Sequence, residues 1–287
     1  MHILKLIVPI TTGALLAFSA VPAQAEECAK PKNRPFQVFN ALFFSGQPDL
    51  TRYGLKPIHV ANRGIWAPGI SRTGPPDPAL VQRYVDKLPR DGAPIVLDFE
   101  DFKLTAGARE ARAGVAGLTR ILQAFRSAAP DRTIGFYGYL PHRDYWRAIR
   151  PRDSSKYRSW QGENDRSAPL ADRVDVLFPS IYTFYPDADG WVTYATAQIC
   201  EARRLSSKPV YVFLWPEYHS NGKAGAGRVI PGSYWRQQLE TARKFADGVV
   251  IWGGWDFKAN KRAPWNQKAD WWLETLRFMR TTKSANK

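Results

Sequence analysis

Seven short apolar runs, most of them followed by a helical or loop-like stretch, constrain the fold of this chain more than any other feature. They are residues 36–44, 57–61, 95–99, 133–139, 175–182, 209–214 and 248–252. Most are rich in β-branched and aromatic residues with little polar alternation, the pattern of strands covered on both faces. Helical periodicity lies between them. Val115, Leu118, Leu122 and Phe125 form one apolar stripe on a segment from about Ala106 to Ala128. Asp77 before Pro78 marks a capped helix start, with the helix running to Leu88. Residues 190–205, 233–246 and 267–279 carry similar patterns. This alternation predicts an α/β fold, a single distorted (β/α) barrel of TIM type with about seven strands, in preference to a sandwich.

The first 25 residues are set apart from that barrel. Lys5, the apolar stretch from Leu6 to Val21 and the small-x-small sequence Ala23-Gln24-Ala25 predict a signal peptide cleaved near Ala25. The protein is therefore expected to be exported, into the periplasm or the medium. Pro9, Gly13 and two threonines interrupt the apolar stretch, which is too short for a membrane anchor. Residues 26–287, 262 in number, match the length of one barrel domain. Cys28 and Cys200 are the only cysteines. An oxidising compartment permits a bridge between them, and the sequence equally allows both to stay free. Two thiols and the scattered His59, His142 and His219 have no metal-ligand spacing, so neither a metal nor a cofactor is expected.

Lys5 is the only charge among the first 25 residues, which leaves 40 basic and 26 acidic side chains, a balance of +14. Such a surface attracts polyanions over a range that salt shortens. The basic residues are spread rather than blocked and no nucleic-acid motif accompanies them, so nucleic acid is not the expected partner. Acidic polysaccharide suits an exported chain better, and plain solubility explains the charge as well. Oligomeric state is not legible.

Three loops, residues 63–77, 151–170 and 219–232, are rich in Gly, Pro and polar residues. In a barrel, loops after strands build the rim of the active site. The glycine-rich stretch 222–227 lacks the order of a phosphate-binding loop and reads as a flexible loop. His142-Arg143-Asp144 lacks every other kinase element, and no Gly-x-Ser-x-Gly elbow supports a serine hydrolase.

The chemistry concentrates at the end of one run, Ile95-Val96-Leu97-Asp98-Phe99-Glu100. In extended chain Asp98 and Glu100 point the same way, roughly 6.5–7 Å apart. Mutual repulsion and burial can keep one such carboxyl protonated near neutral pH, as general acid catalysis of glycoside cleavage requires. An Asp-x-Glu also ends many solvated strands. Here other runs end in suitable groups too: Tyr182, Trp252 before Gly253 and Gly254, and Tyr137. For Tyr137 and Trp252 the residues alone allow core packing as readily as a site. Trp215 and Trp255 lie past their apolar runs and are candidate sugar-stacking rings, whereas Tyr211 and Phe213 read as barrel packing. Arg143 and Lys223 read as solvated surface in preference to the lining of an anionic groove.

The segments Leu97-Asp98-Phe99-Glu100, Leu177-Phe178-Pro179-Ser180-Ile181-Tyr182 and Val249-Val250-Ile251-Trp252-Gly253-Gly254 together resemble the hyaluronidase family of glycoside hydrolases, of the eukaryotic, venom and sperm type. Phe36-Gln37-Val38-Phe39-Asn40 and Tyr53-Gly54-Leu55 fit the same pattern, so the likeness runs from Phe36 to Asp256. It implies a distorted barrel and retaining cleavage of β-linked N-acetylhexosamine polymers, with the substrate's own acetamido oxygen as nucleophile. It implies Glu100 as acid and base, Asp98 as partner of the acetamido N–H, Tyr182 as donor to the acetamido carbonyl, and Tyr137 and Trp252 as walls of the subsite. The family's Trp-Arg-Pro-like segment is replaced by Asp101-Phe102-Lys103-Leu104, so Lys103 offers a point charge in place of a forked guanidinium. The family's disulfide cysteines and cysteine-rich C-terminal module are missing, and the choice of polymer stays open. The altered segment after Glu100 also fits an alternative, a non-catalytic glycan-binding protein on the same barrel.

Overall fold

The computed structural model describes Cys28, residues 33–219, Gly225 and residues 227–285. The expected signal peptide, Lys223 and most of the glycine-rich loop lie outside them. Strands β1 (Gln37–Leu42), β2 (Lys56–Pro57), β3 (His59–Ala61), β4 (Ile95–Leu97), β5 (Ile134–Phe136), β6 (Tyr211–Leu214) and β7 (Gly248–Gly253) are all parallel where they pair. One sheet runs β2-β1-β7-β6 and another β3-β4-β5. Two joints close them into a ring. β2 and β3 are halves of one extended segment separated only by Ile58, and residues 175–182 bridge β5 to β6 through Tyr137–Phe178, Leu177–Val210 and Ser180–Phe213. The result, among the described residues, is the expected distorted (β/α) barrel of seven parallel strands, with β2 and β3 counted as one and residues 175–182 as another.

The run at 175–182 is extended without forming a regular ladder. Pro179 has no N–H to donate, though its carbonyl still accepts from Phe213 N at 2.8 Å. At its start Gly135 allows close approach, since a Cβ there would lie 2.2 Å from the Val176 carbonyl oxygen.

Strand alternation divides the apolar residues into two cores. Phe39, Ile58, Val96, Phe178, Phe213 and Val250 fill the barrel interior. Ile95, Leu97, Phe136, Val212, Leu214, Val249 and Ile251 face outward and meet the helices. Those helices are α1 (Pro78–Asp86), α2 (Ala108–Ala128), α3 (Ser155–Ala171), α4 (Ala188–Leu205), α5 (Gly232–Phe245) and α6 (Asp270–Ala285), each packed on the next, and α1 begins after the second strand segment. The first crossover holds only a short 3-10 helix, Leu50–Tyr53, and α6 covers that gap: Tyr53 packs edge-on against Trp272 at 5.3 Å and Phe44 stacks on Trp271.

Asp77 caps α1 as expected, accepting from Ala79 N and Leu80 N. The segment 151–170 corrects the expectation of a loop, because most of it is α3. Ser154 caps α3 by accepting from Tyr157 N. Its inner face is Tyr157, Trp160, Asn164, Ser167 and Leu170, spaced as one helical stripe with two polar members. Cys28 and Cys200 form a disulfide, which resolves the open choice between paired and free thiols. No helix among the described residues is long and apolar enough to cross a membrane.

Candidate active site

The carboxyl-terminal ends of the strands converge on a cavity of about 350 Å3 lined by Asp98, Glu100, Tyr137, Tyr182, Trp215 and Trp252, with Phe213 at its floor. Alternation places them there. Val96 points into the barrel, so two residues on Asp98 does the same, held by its N–H donating to the Ala61 carbonyl at 2.8 Å. Phe99 turns outward into the helix layer, fully buried. The chain then leaves the strand direction, and Glu100 sits exposed in a turn at the rim.

That turn is clamped from two sides. The Tyr139 hydroxyl donates to the Phe99 carbonyl at 2.9 Å and accepts from Phe102 N at 3.2 Å, spanning Glu100. Phe102 lies over Gly117 of α2 so closely that a Cβ there would meet its ring at 2.2 Å. On the far side Arg72 pairs with Asp101 at 3.0 Å and covers the Trp66 ring.

Asp98 is mostly buried and its Oδ1 makes no hydrogen bond to the protein. Burial, and then the neighbouring Glu100 charge, push its carboxyl up to about 7, with Arg72 opposing. Burial also raises the Tyr182 phenol well above its ordinary value, followed by its neighbour Tyr137, so it stays an O–H donor. Tyr137 donates to Ser180 Oγ at 3.0 Å. Trp252 and Trp215 meet edge-to-face at 4.9 Å, and Tyr182 lies against both at about 6 Å.

Glu100 also lines two further depressions. One, of about 340 Å3, holds Lys103, Tyr139, His142 and Arg143. The other, of about 450 Å3, holds Asn62, Arg63, Arg72 and Asp101. An open groove therefore crosses the rim at Glu100, with cations on either side.

Seven of the eight residues predicted from the sequence meet around Glu100. Trp255 does not. The chain reverses at Gly253 and Gly254, which have φ of 151° and 103°, and a Cβ at Gly254 would lie 2.6 Å from Phe44 N. Trp255 then opens a small antiparallel hairpin, β8 (Trp255–Asp256) with β9 (Lys261–Arg262), and packs against Phe43. Phe257 reaches the cavity instead.

Of the other lining residues, His219 escaped the sequence reading, and for Arg143 the groove was the less favoured of two readings. His219 stacks on Phe184 at 4.5 Å, and its imidazole is lowered to about 4 by burial and by Arg143. Arg143, read as surface in preference to groove lining, lies over the Phe184 ring at 4.8 Å and borders both the main cavity and the one holding Lys103. Neither stands at a strand end, so alternation could not point to them.

No family model matches the chain, and no curated protein matches it. Among solved structures, it is similar to an endo-beta-1,4-mannanase from Thermotoga petrophila at 10% identity and TM-score 0.47, over 89% of this chain and 78% of that one. It is also similar to a beta-D-glucuronidase from Dictyoglomus thermophilum at 13% identity and TM-score 0.43, over 78% of this chain and 44% of that one.

Proposed function

We propose that this chain is an exported, hyaluronidase-like retaining glycoside hydrolase that cleaves within an acidic polymer containing β-linked N-acetylhexosamine. The observation that carries this reading is Asp98. Its carboxyl lines a cavity of sugar size with one oxygen buried and without a protein partner, beside an exposed acid and aromatic walls. Leaving such an atom unpaired costs folding free energy, and a ligand N–H would satisfy it.

In this mechanism the acetamido-bearing sugar packs on Trp252 and Trp215. Asp98 accepts its N–H, and the Tyr182 hydroxyl donates to its carbonyl oxygen and orients it beneath the anomeric carbon. Glu100 protonates the glycosidic oxygen as the acetamido oxygen attacks; the C–O bond to the leaving sugar breaks and a cyclic oxazolinium forms. Ionised Asp98 stabilises its positive charge. Glu100, now a carboxylate, takes a proton from water, which opens the ring with retention. Lys103 and Arg143 would meet the carboxylates or sulfates of the flanking units.

The test is Glu100→Gln. Wild type incubated with hyaluronan, chondroitin or peptidoglycan fragments should release new reducing ends, and the variant should lose at least about a thousandfold in rate with an unchanged melting temperature. A well-folded wild type that binds one of these polymers without cutting it would leave a glycan-binding barrel. A Glu100→Gln variant that cuts at full rate would end the mechanism.

A further inference from the structure

From Tyr182 a line of aromatic contacts leads out of the cavity. Tyr182 meets His219 at 6.0 Å, His219 stacks on Phe184, and Phe184 meets Tyr145 at 6.1 Å. Tyr145 meets Tyr185 at 5.0 Å, and Tyr185 meets Trp146 at 5.4 Å. The guanidinium of Arg143 covers the middle of this line at Phe184. At its end Trp146 is 57% exposed.

A single exposed indole is ordinary on a protein surface. This one is held on a rigid support. Asp144 accepts from Trp146 N and Arg147 N at 3.0 and 2.7 Å, and Arg147 forks onto Glu163 of α3 at 2.8 and 2.6 Å. Tyr145 beneath it stacks on buried Tyr194 of α4 at 4.2 Å. A ring fixed this way loses little freedom when a ligand settles on it. Tyr185 beside it is half-buried, so the pair offers an apolar face with a hydroxyl at its edge.

We infer that Trp146 and Tyr185 form an outlying subsite, which stacks a sugar unit of the bound polymer beyond the cavity at Glu100, with Arg143 meeting an anionic group between the two. The inference rests on the glycosidase reading above. The shared occupant is one polymer chain, because the aromatic line and its cation are continuous with the cavity.

Glu100→Gln protein, which should bind without turnover, separates the two. Its affinity for hyaluronan, chondroitin and peptidoglycan-glycan tetrasaccharides and for longer oligosaccharides of each is measured by calorimetry, with and without Trp146→Ala. Removing the indole should weaken the longer ligands about tenfold, leave the tetrasaccharides unchanged and not shift the melting temperature. Trp146→Phe should recover most of the loss. Equal weakening at both lengths, or none at either, overturns the subsite while leaving the glycosidase reading intact. If the Glu100→Gln parent binds none of the three glycans at either length, the glycosidase reading falls and the subsite with it.

Discussion

Asp98 and Glu100 share a strand end and a cavity, yet their surroundings differ. Glu100 stands in solvent at the rim, while Asp98 lies below it with one oxygen unpaired. Burial and the adjacent charge push Asp98 up to about 7. In the proposed mechanism the ionised form receives the acetamido N–H, so kcat/KM should rise with pH through about 7, and Asp98→Asn should abolish that limb along with most activity. Stability should run the opposite way. A carboxyl raised from 3.8 to about 7 makes the folded state hold its proton longer than the unfolded state, so stability falls as pH rises between those values. Asp98→Asn should therefore be more stable than wild type above pH 7, by about 1–3 kcal/mol, with the advantage vanishing below about pH 4. Paired melting curves across pH check the sign, and a variant less stable at every pH would contradict the burial argument.

At the scale of elements, strand ends were legible and the rim was not. Period-two alternation needs only the order of residues, so it suffices to put Asp98, Tyr182 and Trp252 on the inner face. It fails where the backbone leaves the strand. Gly253 and Gly254 turn the chain, which exchanges Trp255 for Phe257, and His219 and Arg143 sit on loops with no period. Helix α3 was illegible for another reason: its buried stripe includes Asn164 and Ser167, which look solvent-facing in sequence. In the fold Asn164 is fully buried, accepting from His142 N at 2.9 Å and donating to Glu201 at 3.1 Å. It thereby holds the segment 142–147 that carries Arg143 and Trp146. Asn164→Ala leaves a buried N–H and a carboxylate oxygen short of a partner and should cost about 2 kcal/mol. Thermal melting checks that loss, and the affinity for long glycans should fall with it because the rim is no longer braced.

Across the whole molecule the two ends of the barrel have separate tasks. The carboxyl ends of the strands hold the groove, and the other end is where the ring is tied shut. There Asp247, almost fully buried, accepts from Val210 N at 2.9 Å and pairs with Arg203 at 3.3 Å and Arg34 at 3.5 Å. This joins the chain before β1 to the start of β7 and the end of α4. The disulfide adds a covalent tie of the same sense, from Cys28 to Cys200 in the last two turns of α4, across 172 residues of chain. A cross-link over so long a loop restricts the unfolded ensemble strongly, by about 3–5 kcal/mol in the chain-entropy account. The first turn of α4 follows the Tyr182 strand end, so its last turns lie away from the groove. Reduction, or Cys28→Ala with Cys200→Ala, should thus lower the melting temperature by several degrees while kcat/KM, assayed well below both transitions, stays within about twofold of wild type. Loss of activity without a drop in melting temperature would mean that the tie acts on the groove itself, and the separation of the two ends would fail.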